Sequence, residues 1–172
     1  MSKRYPEWNE KFAPAYTPLE MIQQGVFEGT YVRAIRDLPK SWYKQEKVVG
    51  SGEAGDPGLN KFGVTSRLSL RAWQEKGWIR TDPGGWFEWY CRYFLGRRLG
   101  EEDDWQIARW VSFVARHQGQ IVKAGVLKDE SKRMRQRQGL LQWAWDSTKP
   151  FDSVRRRYNQ KRLSQLPQVN IP

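Results

Sequence analysis

From residue 65 onward the apolar positions recur at the spacing of a helix. Trp86, Trp89, Tyr90 and Tyr93 stand at offsets 0, 3, 4 and 7 and build one apolar stripe. Asp82-Pro83 precedes the stripe and Gly96 ends it, while Glu88 and Arg92, four apart on the opposite face, form a helical charge pair. A second, longer helix follows, with the stripe Ile107, Trp110, Val111, Val114 and Ile121. The run Glu101-Glu102-Asp103-Asp104 stands at its start, where carboxylates suit the positive end of the helix dipole. Before these two, Thr65 or Ser66 caps a predicted helix reaching Lys76, with Leu68, Leu70, Ala72 and Trp73 at helical spacing and Gly77 as its stop. After them, Ser131 is the predicted cap of a helix from Lys132 to about Trp145. Met134, Leu141 and Trp145 fall on one of its faces, with Leu140 and Ala144 beside them.

The N-terminal half is less regular. Thr17-Pro18-Leu19-Glu20 has the spacing of a capping box, with proline at the first helical position and Gly25 as the stop, so a helix of about two turns is expected. Thr30 to Ile35 mixes β-branched and aromatic residues in partial alternation, the pattern of a short strand. Gly50 to Gly58 is a turn-rich loop without periodicity, open to motion or to ordering on binding. Pro150 to Leu163 is polar, basic and predicted helical. The whole reads as a mainly α, compact helical single domain over 1–163, with a small β element near the N-terminus, a mobile loop near 50–58 and a tail at 164–172.

Charge changes this picture more than composition does. Thirty Lys and Arg face nineteen Asp and Glu, a net charge of +11, which points toward a polyanionic partner. Residues 131–172 alone hold ten basic groups against Asp146 and Asp152. Ten Trp, seven Tyr and seven Phe separate the chain from a disordered basic tail, because so many rings can fill a core. No apolar run approaches the ~18 residues of a membrane span, so no membrane association is expected. The first residues carry a basic pair and no apolar core of a secretory signal. One cysteine, Cys91, and one histidine, His117, build neither an internal disulfide nor a Cys/His zinc site. A cytoplasmic, reducing location with no cofactor and no bound metal is the expectation.

Two groups of residues carry the candidate chemistry. Tyr90, Arg92, Tyr93, Arg97 and Arg98, followed by Trp105, Arg109 and Trp110, interleave rings with guanidinium groups. Rings stack on bases and guanidinium forks hold phosphates, so Tyr90, Tyr93 and Trp105 are stacking candidates and the four arginines are phosphate contacts. The same rings can instead form the core, with the arginines lying over them or paired with nearby acids. Lys132, Arg133, Arg135 and Arg137, then Arg155, Arg156, Arg157, Lys161 and Arg162, form the densest basic surface. A surface of this kind binds nucleic acid through counterion release and without sequence preference.

Gly63-Val64-Thr65-Ser66-Arg67-Leu68-Ser69-Leu70-Arg71-Ala72-Trp73-Gln74-Glu75-Lys76-Gly77-Trp78-Ile79 resembles the recognition half of the helix-turn-helix in MerR-like and excisionase-like DNA-binding domains. The resemblance implies a helix in the major groove, with Ser66, Arg67, Ser69 and Arg71 facing DNA and a β-wing following. A second set of motifs spans roughly residues 25–145: Leu59-Asn60-Lys61-Phe62-Gly63-Val64, the run Asp82-Pro83-Gly84 continuing through GWFEWYCRYFLGRR to Arg98, Gln106 to Trp110, and Arg137 to Trp143. It resembles a family of small Trp- and Arg-rich proteins of cellular and phage genomes, which implies a shared fold and no particular activity.

The expected function is nucleic-acid binding, with DNA favoured over RNA, by a small regulatory or architectural factor whose economy fits a phage origin. Two rivals stand beside it. A metal-dependent hydrolase acting on nucleic acid or a nucleotide would use Glu101 to Asp104 as Mg²⁺ ligands, with His117 or Cys91 in the chemistry. Adjacent residues on one helix do not converge on one ion, so catalysis is the less favoured reading. An interaction protein would present the basic face to an acidic protein partner. Oligomeric state is not encoded in any motif.

Overall fold

The computed structural model describes residues 8–30, 35–43, 55–66 and 70–151. Among these residues six α-helices follow one another: α1 (Pro18–Gln24), α2 (Lys40–Tyr43), α3 (Leu70–Glu75), α4 (Trp86–Phe94), α5 (Glu101–Lys123) and α6 (Met134–Gln142). Short 3-10 turns at Phe27–Gly29 and Pro57–Leu59 join them. The fold is mainly α. Among the described residues there is no strand. The predicted strand falls largely on residues 31–34, outside the described residues, and Ile35 at its end is buried in the helical core.

The capping box forms as its spacing dictates. Thr17 Oγ1 accepts from Glu20 N, Glu20 returns a carboxylate to Thr17 N at 3.0 Å, and Gly25 closes α1 at φ +100. α4 buries every residue except Arg92, because a nine-residue helix with six aromatic side chains has apolar surface on more than one side. Its C-terminus is a Schellman turn on Gly96, with Gly96 N bonded to Tyr93 O and Arg97 N to Arg92 O. α5, about 35 Å long, packs on both α4 and α6, while α1 packs on α4. Ile107, Trp110, Val114 and Ile121 are buried along it as the stripe predicts, and Val111 is half-buried.

The centre of the core comes from a segment with no regular structure. Phe12, 1% exposed, places its ring among those of Trp8, Trp86, Trp89, Tyr90, Tyr93 and Trp110. Most of these pairs are edge-to-face, the arrangement that ring quadrupoles prefer. Two backbone bonds fix the segment's exit, from Ala15 N and Tyr16 N to Ala144 O at 2.7 and 3.2 Å.

Three predicted elements are redrawn. α6 begins at Met134 and not at Lys132, since Ser131 turns back onto Asp129 through its N–H and hydroxyl, and Arg133 takes a left-handed conformation at φ +55. Met134 is consequently exposed and does not share the face of Leu141 and Trp145 in the core. α3 is described from Leu70, residues 67–69 lying outside the described residues, and ends in a Schellman turn on Gly77. Of the turn-rich loop, residues 55–58 are fixed: Asp56 N donates to Glu28 O, Asp56 caps the 3-10 turn, and the buried Asn60 amide oxygen accepts from Glu28 N at 2.8 Å. Residues 50–54, and the predicted helix and tail beyond Phe151, lie outside the described residues.

Candidate functional site

The interleaved block separates into structural and available members. Tyr90 and Tyr93 are buried in the aromatic core, which leaves neither ring a face for a base. Tyr90 Oη donates to Tyr16 O, and Tyr93 Oη accepts from Asn9 N. Arg97 grips the buried Asp82 with both guanidinium arms, and Arg92 pairs with Glu88 at 2.9 Å and lies 3.5 Å from the same aspartate. Arg98 stacks 3.8 Å over the Tyr93 ring and donates to Tyr93 O and Arg97 O. Their charge is satisfied locally, because a carboxylate or a π-face was brought to each guanidinium as the core closed.

Arg137 is the largest departure from a basic surface. It is 0% exposed, and its fork donates to the carbonyls of Lys132, Val126, Asp129, Leu127 and Ser147 and to Ser147 Oγ. Five donors in a rigid plane suit a bowl of carbonyls, so this arginine ties the α5–α6 connection to the turn after α6. The exposed basic face is therefore Lys132, Arg133 and Arg135 at the start of α6, joined by Arg116, Lys123 and Lys128 from α5 and the loop after it. Among the described residues no ion pair engages these six groups. Arg155, Arg156, Arg157, Lys161 and Arg162 lie outside the described residues, as does Arg67. Arg71 is exposed on α3 and pairs with Glu75 at 2.9 Å, and the described residues preceding α3 form a 3-10 turn and loop where a first recognition helix would stand.

Beside this face lies a cavity of about 610 Å³ between α3, α4, α5 and α6. Trp73, Trp78, Trp86, Trp105, Phe113 and Trp143 supply most of its wall; Arg109, Arg116 and His117 are its titratable groups, and no Asp or Glu lines it. The rings form a continuous stack: Trp86 on Trp143 at 4.9 Å, Trp143 on Phe113 at 4.8 Å, and Phe113 against His117 at 4.2 Å. Arg109 lies within 6 Å of the Trp78, Trp105 and Trp143 rings, and Arg80 also lies over Trp105, at 4.4 Å. Gly139 lets α6 approach closely, since a Cβ there would stand 3.1 Å from Ser66 Oγ and 3.6 Å from Phe113. Ser66 in turn donates to Arg135 O, joining the cavity wall to the basic face.

Burial sets the electrostatics. It pulls the Arg109 guanidinium below its ordinary value, with Glu102 acting weakly the other way; a guanidinium nevertheless keeps its proton at neutral pH. Burial, and then the neighbouring Arg116 charge, hold His117 below the usual histidine range. The Gln136 amide nitrogen stands 2.9 Å from His117 Nδ1, so the neutral ring accepts there and carries its proton on Nε2. Two buried side-chain donors of the lining, Trp86 Nε1 and Gln142 Nε2, have no hydrogen-bond partner among the described residues.

The acidic run does other work. Asp103 is buried, accepting from Trp89 Nε1 at 2.8 Å and Leu99 N at 2.6 Å, and Glu102 accepts from Gln106 and lies 3.5 Å from Arg80. Among the described residues no three His, Cys, Asp or Glu side chains converge as metal ligands. Cys91 is buried, and burial pushes its thiol well up, away from the reactive thiolate. No helix of the described residues is long and apolar enough to cross a membrane.

Of the residues singled out from sequence, Trp105 and Arg109 meet in the cavity, and Lys132, Arg133 and Arg135 lie on the adjoining face. Sequence reasoning missed Arg116, Gln142 and the assembly of Trp73, Trp78, Trp86, Phe113 and Trp143 into one wall. These come from four helices and the loop after α3, and no single-helix periodicity reports them together. The chain matches no protein-family model, no curated protein and no solved structure.

Proposed function

We propose that this protein binds nucleic acid, with DNA favoured, through the basic face of α5 and α6. The observation that carries the reading is the placement of six exposed cations, without ion-pair partners among the described residues, beside an aromatic cavity that contains guanidinium groups and no carboxylate. A surface of fixed positive charge attracts a phosphate backbone, and rings beside it favour unpaired or distorted strands over regular duplex. A regulatory or architectural role in a reducing, cytoplasmic setting fits a chain whose cysteine is buried and whose core is closed by aromatic packing.

Fluorescence anisotropy with labelled duplex, single-stranded DNA and RNA, from low to high salt, tests this. The informative variant is Lys132→Ala, Arg133→Ala, Arg135→Ala combined, with Arg137 left intact because it is structural. Each lost phosphate contact flattens the slope of log K against log salt by about 0.7–0.9, so the triple variant is expected to lose about 2–3 from the slope. Absence of binding to all three probes at low salt would sink the reading and leave an acidic protein as the partner.

A further inference from the structure

α5 turns a regular face to the cavity. Trp105, Ala108, Arg109, Ser112, Phe113 and Arg116 all line it, at the spacing by which a helix ordinarily packs on a neighbour. Here that face borders about 610 Å³ of space, the size of a site for a small organic molecule. Ala108, Ser112 and Arg116 are exposed and mark the mouth, while Phe27, Phe87 and Gly139 are buried and mark the floor. Between them stands Arg109, half-buried, its guanidinium held on one side only. Nη1 donates to Trp78 O at 3.2 Å and to Gln106 Oε1 at 3.0 Å. Nε and Nη2 donate to nothing among the described residues, and unlike the indole nitrogen of Trp86 they are not closed off from solvent. These two N–H groups are parallel and form the edge of a guanidinium that grips a carboxylate with two hydrogen bonds. Glu102, the carboxylate that acts on Arg109, pairs instead with Arg80 and Gln106, so Arg109 has no ion pair among the described residues.

We propose that the cavity binds a small organic acid, its carboxylate seated on the Nε–Nη2 edge of Arg109 and its apolar body filling the space beside Trp73, Ile79 and Phe113. A cation drawn partly out of water is favoured when an anion joins it, and the bonds from Nη1 hold the fork in place before any ligand arrives. The apolar wall supplies affinity for the body, and the fork selects for charge. Ser66 and Ser112 are the hydroxyls of the lining, and among the described residues no carboxylate lines it to repel an acid. A carboxylate fits better than a phosphate monoester, whose second charge asks for a second cation. Arg116, the next cation along α5, is about 10 Å further up the helix axis, and its charge is felt at His117. Arg80 is engaged by Glu102. This inference goes beyond the nucleic-acid reading and does not depend on it.

The test is isothermal titration calorimetry of the full chain with 2-naphthoate, with its uncharged analogue 2-naphthamide and with 2-naphthyl phosphate. Saturable binding of the acid with Kd below about 1 mM is expected, about tenfold or more tighter than the amide, because the bonds to the fork are charge-assisted. Arg109→Gln is expected to abolish that preference for the acid. Arg109→Lys, which keeps the charge and loses the fork, is expected to weaken the acid about tenfold. Ser112→Phe fills the mouth from an exposed position without touching Arg109, and is expected to weaken acid and amide alike while Tm is unchanged. It decides the matter should the Arg109 variants fold poorly, since unaltered affinity in Ser112→Phe places the ligand elsewhere and overturns the proposal. Equal affinity for acid and amide overturns recognition of the charge. Tighter binding of the phosphate than of the acid overturns the assignment to a carboxylate. No saturable binding of any of the three at about 1 mM overturns the site itself.

Discussion

Arg137 shows how misleading a charge can be when residue type is read without burial. By sequence it belongs to a run of cations on one predicted helix; in the fold it is taken up by five carbonyls and a hydroxyl. Replacing it with leucine strands those carbonyls, each worth about 1–3 kcal/mol when buried without a donor, so Arg137→Leu is expected to cost at least about 3 kcal/mol in urea unfolding. Arg137→Lys recovers only part of this, because a single ammonium cannot reach both sides of the bowl. His117 makes the complementary case for a titrating group. Its folded value lies below the ordinary 6.5, so on acidification the unfolded chain takes up a proton before the folded one does. Its stabilising contribution is present above pH ~6.5 and falls as pH drops from there toward the folded value. As this is the chain's single histidine, urea midpoints of the wild type and His117→Asn are expected to converge between pH 7.5 and 5.5. Parallel midpoints would contradict a neutral ring held by Gln136.

At the scale of elements, local signals were read well where a helix end has its own chemistry. Thr17 and Glu20 announced α1, and Gly77 and Gly96 announced the ends of α3 and α4, because a cap needs particular atoms at particular spacings. The same turn recurs after α5, on Gly125 at φ +70, where a Cβ would meet nothing within 4 Å. Gly125→Ala should therefore lose about 1–2 kcal/mol, purely as left-handed backbone strain, measurable as a lowered Tm with unchanged near-ultraviolet dichroism. α6 closes on Ala144, at φ +57, in the identical pattern, and an alanine gives no warning of that in sequence. Nor did Ser131 betray that it serves an Asp129 turn, since serine caps helices and turns by the same hydrogen bond.

For the whole molecule, the stripes of α4 and α5 pointed to the core, while the charge balance pointed to residues 131–172, of which Lys132, Arg133 and Arg135 are exposed, Arg137 is buried and the cations beyond Phe151 lie outside the described residues. The site between them was not legible. Its residues come from α3, the loop after it, α4, α5 and α6, and only packing sets which indoles face a void and which face one another. Periodicity also had nothing to say about residues 8–16, since a chain segment that is neither helix nor strand has no period to detect. Yet Phe12 lies among rings from helices whose sequence positions are some seventy to a hundred residues away. Closing so long a loop is entropically little dearer than closing a medium one, but it cannot happen until α4 and α5 exist to receive the ring. The N-terminal stretch is thus no ornament of a finished bundle. A chain shortened past Tyr16 would keep every predicted core helix and still be hollow where Phe12 sits, the kind of void that costs a phenylalanine's worth of packing.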